Sequence, residues 1–157
     1  MLALLLSTVA LAKVTASSTG ESPDGDKNNK PKPELAFDGI LSTGWGDGAM
    51  GHGAGSWIEL DTGSNVNLES VSVWPGNLSK GARSFREYDR PRVLRLVVDG
   101  KAVVEQKVDD KMQRVDLDLP AAAPARKVRI EIVEAIEGYV YADLYIAEIA
   151  LNYTKGD

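Results

Sequence analysis

Three oxygen-bearing residues, Asp38, Thr43 and Glu148, have types and positions that could do chemistry together. Asp38 and Thr43 stand in "AFDGILSTGWGDGAMGHGAGSWIEL" (36–60), and Glu148 lies inside "YIAEIAL", where it shares an alternating face with Ile146 and Ala150. Ala147, Ile149 and Leu151 form the opposite face, and one of the two faces should be buried. A carboxylate on the buried face must be paired or bind a cation, because desolvating it alone costs several kcal/mol. Carboxylates, a hydroxyl and loop carbonyls are the oxygen set that suits calcium, Ca²⁺, and no soft ligand competes. The alternative is a solvent-facing Glu148 and an Asp38 that closes an Asx turn before Gly39.

Other chemistries have less to work with. There is no Cys, which excludes disulfides and thiolate metal sites, and the single His, His52, cannot build an imidazole zinc centre. His52 sits in "GAMGHGAGS" with no G-x-S-x-G elbow to supply a nucleophile. Asp143 and Glu148 could be imagined as a glycosidase pair, but nothing in the sequence sets their separation. The formal net charge is −5, and Lys and Arg are spread out apart from small groups such as Arg90 to Arg95. A concentrated basic face for nucleic acid is therefore missing, and no nucleic-acid partner is expected.

The elements that must hold these residues read as strands. "SWIELD" (56–61) and "LESVSVW" (68–74) alternate, with a bulge separating Leu68 from Val71 and Val73. "RVLRLVVDGKAVVEQKV" (92–108) predicts a hairpin turning at Asp99-Gly100. "QRVDLDLP" (113–120), "KVRIEIVEAI" (127–136) and "LYIAEIALNYT" (144–154) complete the pattern. "PAAAPA" (120–125) reads as a connection between strands, and residues 17–33 read as a long surface loop. No segment holds a helical period over three turns. Short strands at near-regular spacing in a chain of 157 residues point to one all-β domain, an antiparallel jelly-roll β-sandwich.

The start, "MLALLLSTVALAKVTASS", has an apolar run ending in Ala10-Leu11-Ala12, as a signal peptide over residues 1–12 would, with the domain at 13–157. No Lys or Arg precedes the run, so a first buried strand is the alternative; the run is too short to span a bilayer. A secreted protein, or one of a bacterial envelope or periplasm, is the expectation.

"A-x-D-G-x-x-x-T-x-W" at 36–45, "S-W-I-E-L" at 56–60 and "A-E-I" at 147–149 together resemble the discoidin family, the coagulation-factor type C or galactose-binding-like domain. "PGNLSKGARSFREYDRPRVLRL" (75–96) and "GYVYADLYIAEI" (138–149) are similar to the branch of glycan-binding domains found with NADases. The resemblance covers about residues 15–154. It implies a non-catalytic binding module on an eight-stranded jelly roll, often with one structural Ca²⁺. It also implies that Asp38 and Thr43 contribute side-chain oxygens, Phe37 and Ile40 contribute carbonyls, and Glu148 closes the site. One departure bears on this: Ile40 stands where family members usually carry Asn or Asp, which removes a possible ligand.

Sugar recognition needs an aromatic face and a few planar or charged groups. Trp45 and Trp57 match family positions that pack the core, whereas Trp74 ends its strand and is the more exposed. The 75–92 loop offers Asn77, Lys80, Arg83, Phe85, Tyr88 and Arg92; the 138–143 loop offers Tyr139, Tyr141 and Asp143, and the Gly-rich loop offers His52. The expected partner is a glycan or other cell-surface ligand, with a protein partner on the same loops as the second hypothesis.

Overall fold

The fold was taken from a computed structural model that describes residues 12–22 and 24–156. The proposed cleavage segment therefore lies almost wholly outside the described residues. Seven strands follow one another: β1 (Lys13–Ala16), β2 (Trp45–Gly46), β3 (Trp57–Pro75), β4 (Tyr88–Val98), β5 (Lys101–Lys107), β6 (Val115–Ile136) and β7 (Tyr141–Lys155). One short helix, α1 (Ala82–Glu87), and two 3₁₀ turns, Lys27–Asn29 and Pro33–Phe37, complete the described elements.

Two long strands make the sandwich. The first half of β3 lies between β1 and the second half of β6, pairing Ile58 with Ile130 and Leu60 with Val128. Its second half lies between the first half of β6 and β7, pairing Val71 with both Leu117 and Leu151. β4 and the β5 hairpin extend the first layer, and β2 edges the second by pairing Trp45 with Ile146. Leu94, Leu96, Ile130 and Ile132 pack into one core with Leu68, Val71, Val73 and Ile149, all at most 1% exposed. Burial of so many branched side chains is the main term holding the layers together.

The fold class is the one expected, but several boundaries differ. The bulge after Leu68 is present, yet it does not divide the strand: 56–61 and 68–74 belong to one β3. "PAAAPA" is not a connection. Ala123 and Ala125 pair with Leu68 and Val66 inside β6, and residues 119–122 stand opposite Glu69 alone. That excess arches β6 from one layer to the other, which is why seven strands among the described residues do the work of eight. The hairpin turn is as expected, with Asp99 at φ 48 and Gly100 at φ 84, both in the left-handed region a tight type I′ turn requires. Trp57 corrects the core reading. Because Ile58 and Leu60 point inward, Trp57 points outward, half-buried, with the Arg129 guanidinium 3.8 Å from its ring centroid. Trp45 is fully buried and donates from Nε1 to the Ser18 carbonyl at 2.9 Å.

Candidate functional site

The 3₁₀ turn Pro33–Phe37 delivers Asp38 beside the middle of β7. Asp38 does make the Asx turn, accepting the Ile40 N–H at 2.9 Å on Oδ1. Thr43 Oγ1 lies 2.6 Å from Asp38 Oδ2, 2.9 Å from the Ile40 carbonyl and 3.3 Å from the Leu35 carbonyl. One hydroxyl proton can serve only one of these oxygens. Glu148 faces the same place and is only 3% exposed, so the solvent-facing alternative fails. Its Oε2 has no hydrogen-bond partner. Burial, with the Asp38 carboxylate adding, pushes its pKa up to about 8, against the opposing pull of the Gly39 and Ile149 N–H groups.

The cradle is thus rich in oxygen, and without a cation Glu148 keeps its proton there near neutrality. Such a set fits a hard divalent cation: Asp38, Thr43 and Glu148 would hold it through side chains and Ile40 through its carbonyl. Phe37 ends the 3₁₀ turn with its side chain in the core, leaving only backbone oxygen to offer. Among the described residues no group of three or more His, Cys, Asp or Glu is placed to hold a metal, so the carbonyls would carry much of the coordination.

At the other site, His52 projects from the Gly-rich loop with Nδ1 2.8 Å from Asp89 Oδ2 and Nε2 3.3 Å from Glu137 Oε1. Asp89 is fully buried, and its Oδ1 accepts the Gly138 N–H at 2.7 Å. The hydrogen bond to Asp89 raises the His52 pKa, burial opposes it, and the Asp89 and Glu137 charges add to the rise. Both imidazole nitrogens face carboxylates, so neither is left to activate a nucleophile. Next to them, Tyr88 stacks on Tyr141 at 4.5 Å and meets Tyr145 edge-on at 4.9 Å. Asp143 is half-buried there, and burial, together with the Asp47 and Asp89 charges, raises its pKa. Tyr139 is 86% exposed and Tyr141 44%. Rings and polar groups at one open end can stack on a pyranose and hydrogen-bond its hydroxyls.

His52, Tyr88, Tyr141 and Asp143 are thus brought together, and Phe85 and Tyr139 share a neighbouring cavity. The other expected site residues are held by contacts of their own, with Arg83 within electrostatic reach of Tyr141. Asn77 is buried and holds its own turn, accepting the Ser79 N–H at 3.0 Å. Trp74 is half-buried with Arg114 6.0 Å from its ring centroid. Lys80 is exposed, Arg83 pairs with Glu87 at 2.8 Å, and Arg92 lies 3.9 Å from Glu134. Sequence reasoning missed Asp89, Glu137 and Asp47. Asp89 was hidden in "EYDRPR", whose alternation gives no sign that an acid there is fully enclosed.

The family model of the NAD glycohydrolase translocation F5/8 type C domain matches residues 6–152. Among solved structures, the C-terminal domain of a chitobiase from Bacteroides fragilis superposes with a TM-score of 0.67 at 17% identity, covering 95% of this chain and 97% of that one. The family 32 CBM from C. perfringens NanJ in complex with galactose gives 0.65 at 14% identity, covering 89% and 92%. CpGH89CBM32-5 from Clostridium perfringens, in complex with GalNAc-β-1,3-galactose, gives 0.67 at 22% identity, covering 89% and 94%. No curated protein matches the chain. These likenesses show the fold, a galactose-binding-like β-sandwich. Among the described residues no helix is long and apolar enough to cross a membrane.

Proposed function

The chain belongs to the NAD glycohydrolase translocation F5/8 type C domain family, and on that footing we propose that it is an exported, non-catalytic module that binds a glycan. The observation that carries this reading is the open end where Tyr139 and Tyr141 stand exposed beside His52 and Asp143. Two structural neighbours, in complex with galactose and with GalNAc-β-1,3-galactose, lend support. His52, held between two carboxylates, serves as a fixed polar wall of the site. Calcium in the Asp38, Thr43 and Glu148 cradle is structural, tying the loop before β2 to β7.

A glycan array probed with the full chain tests the reading. Tyr139→Ala with Tyr141→Ala should abolish retention at a small loss in melting temperature, since Tyr139 stands in solvent and Tyr141, 44% exposed, gives up only its stack on Tyr88. Retention by the double variant would move the site elsewhere. A second reading, docking on a protein partner, draws on the exposed apolar side chains of Met50 and Val140 near the same rim. A silent array together with a specific pull-down would favour it.

A further inference from the structure

Beside the tyrosines lies a cavity of about 340 Å³, walled by Phe85, Arg86, Arg90, Lys111, Met112 and Tyr139. Its volume suits a single sugar ring. α1 supplies Phe85 and Arg86, the loop between β5 and β6 supplies Lys111 and Met112, and the Tyr139 N–H bonds the Arg86 carbonyl at 3.0 Å. Arg90 is the floor: 7% exposed, it lies 4.9 Å from the Phe85 ring centroid and makes a two-pronged pair with Asp110 at 2.5 and 2.8 Å.

That pair settles the charge of the floor and leaves the walls positive. Arg86, Arg90 and Lys111 face one carboxylate, Asp110, an excess of two positive charges in a protein whose net charge is −5. The neighbouring acids are engaged elsewhere, Glu87 with Arg83 and Asp89 with His52. Arg86 is exposed and has no salt bridge among the described residues, and the same holds for Lys111. Two unpaired cations over an apolar shelf of Tyr139 and Met112, which is 45% exposed, match a ligand with a negative group on an otherwise apolar-faced ring.

We infer that this cavity is a subsite for an anionic sugar, its carboxylate or sulfate held between Arg86 and Lys111 and its ring laid on Tyr139. The inference rests on the glycan-binding reading and names the class of sugar that reading leaves open.

Calorimetric titration of the full chain with galactose, galacturonate and galactose 6-sulfate tests it. One of the two acidic sugars should bind at least about ten-fold more tightly than galactose at low salt, and which one does so tells a carboxylate site from a sulfate site. Raising the salt should erase the difference, since the cations lie at the surface. Arg86→Gln combined with Lys111→Gln should lower the acidic sugar to the affinity of galactose without moving the melting temperature. Equal affinity of all three sugars, or an acidic preference that survives the double variant, overturns the subsite. If galactose alone binds, the subsite falls and the glycan-binding reading stands. If no sugar binds here or on the array, both fall.

Discussion

Nδ1 of His52 lies 2.8 Å from Oδ2 of Asp89, a carboxylate with no exposed surface. A buried charge needs partners, and Asp89 finds them in His52 and the Gly138 N–H. Three segments distant in sequence, the Gly-rich loop, the start of β4 and the turn before β7, are joined at that one carboxylate.

The link should depend on pH. The Asp89 hydrogen bond lifts the His52 pKa above 6.5, so the stabilisation is fully present below about pH 6.5 and is lost as pH rises through the folded-state value. His52→Gln should therefore lower the melting temperature more at about pH 5.5 than at about pH 8.5. Equal losses at both would show that the proton on His52 has no part in holding the loop.

Gly53 fixes where that histidine sits. Its φ is +81, and a Cβ added there would stand 2.7 Å from the Leu144 Cβ, in a core side chain with no room to give. Overpacking and a left-handed backbone together should make Gly53→Ala cost about 2 kcal/mol or more. For a domain of this size that is a fall of roughly 4–8 °C in Tm. Glycan retention should fall with it, since the loop must shift at His52; retention at wild-type strength would detach the loop from the ligand site.

Asp110 and Arg90 offer a test of the rim's stability. Arg90 is 7% exposed and loses its ion-pair partner in Asp110→Ala, keeping the Phe85 carbonyl at 3.3 Å and the Tyr88 carbonyl at 3.5 Å. Breaking a fully buried pair costs about 3–5 kcal/mol, but the Asp110 side chain is 47% exposed and water can follow, so about 1–3 kcal/mol is expected. Chemical denaturation should show the loss as a lower midpoint with an unchanged slope.

What the sequence disclosed was local. The Asp99-Gly100 turn and the bulge after Leu68 follow from neighbours a few residues away, whereas the burial of Trp45 was implied by the family resemblance. Trp57 was misjudged because its motif was weighed above its alternation with Ile58 and Leu60. The passage of β3 and β6 through both layers was hidden because an arch looks like a break when prolines fall on it. The approach of His52 to Asp89 spans 37 positions, and that of Arg90 to Asp110 spans 20. Such pairings are products of the tertiary fold, and no spacing rule announces them. Asp38 and Glu148 are farther apart still, and there the oddity of an acid on an apolar strand face gave the signal, with the family resemblance beside it.

That acid carries the sharpest expectation. With its pKa pushed from 4.5 to about 8, Glu148 keeps its proton in the folded chain over a range where the unfolded chain has lost it. Without a cation, its contribution to stability is fully present below about pH 4.5 and drains away as pH rises towards 8. Calcium needs the ionised form, so binding near neutrality should expel a proton and strengthen as pH rises. At an excess of about 100 dissociation constants the ion adds about 2.7 kcal/mol, or roughly 5–10 °C in Tm. The calcium-induced shift should thus be larger at about pH 8 than at about pH 6. Glu148→Gln removes the buried charge, so in chelator at about pH 8 it should melt above the wild type and respond to calcium no further. Identical wild-type melting curves in chelator and in millimolar calcium at that pH would remove the metal from the cradle, leaving Glu148 as a buried carboxyl held in its protonated form against Asp38.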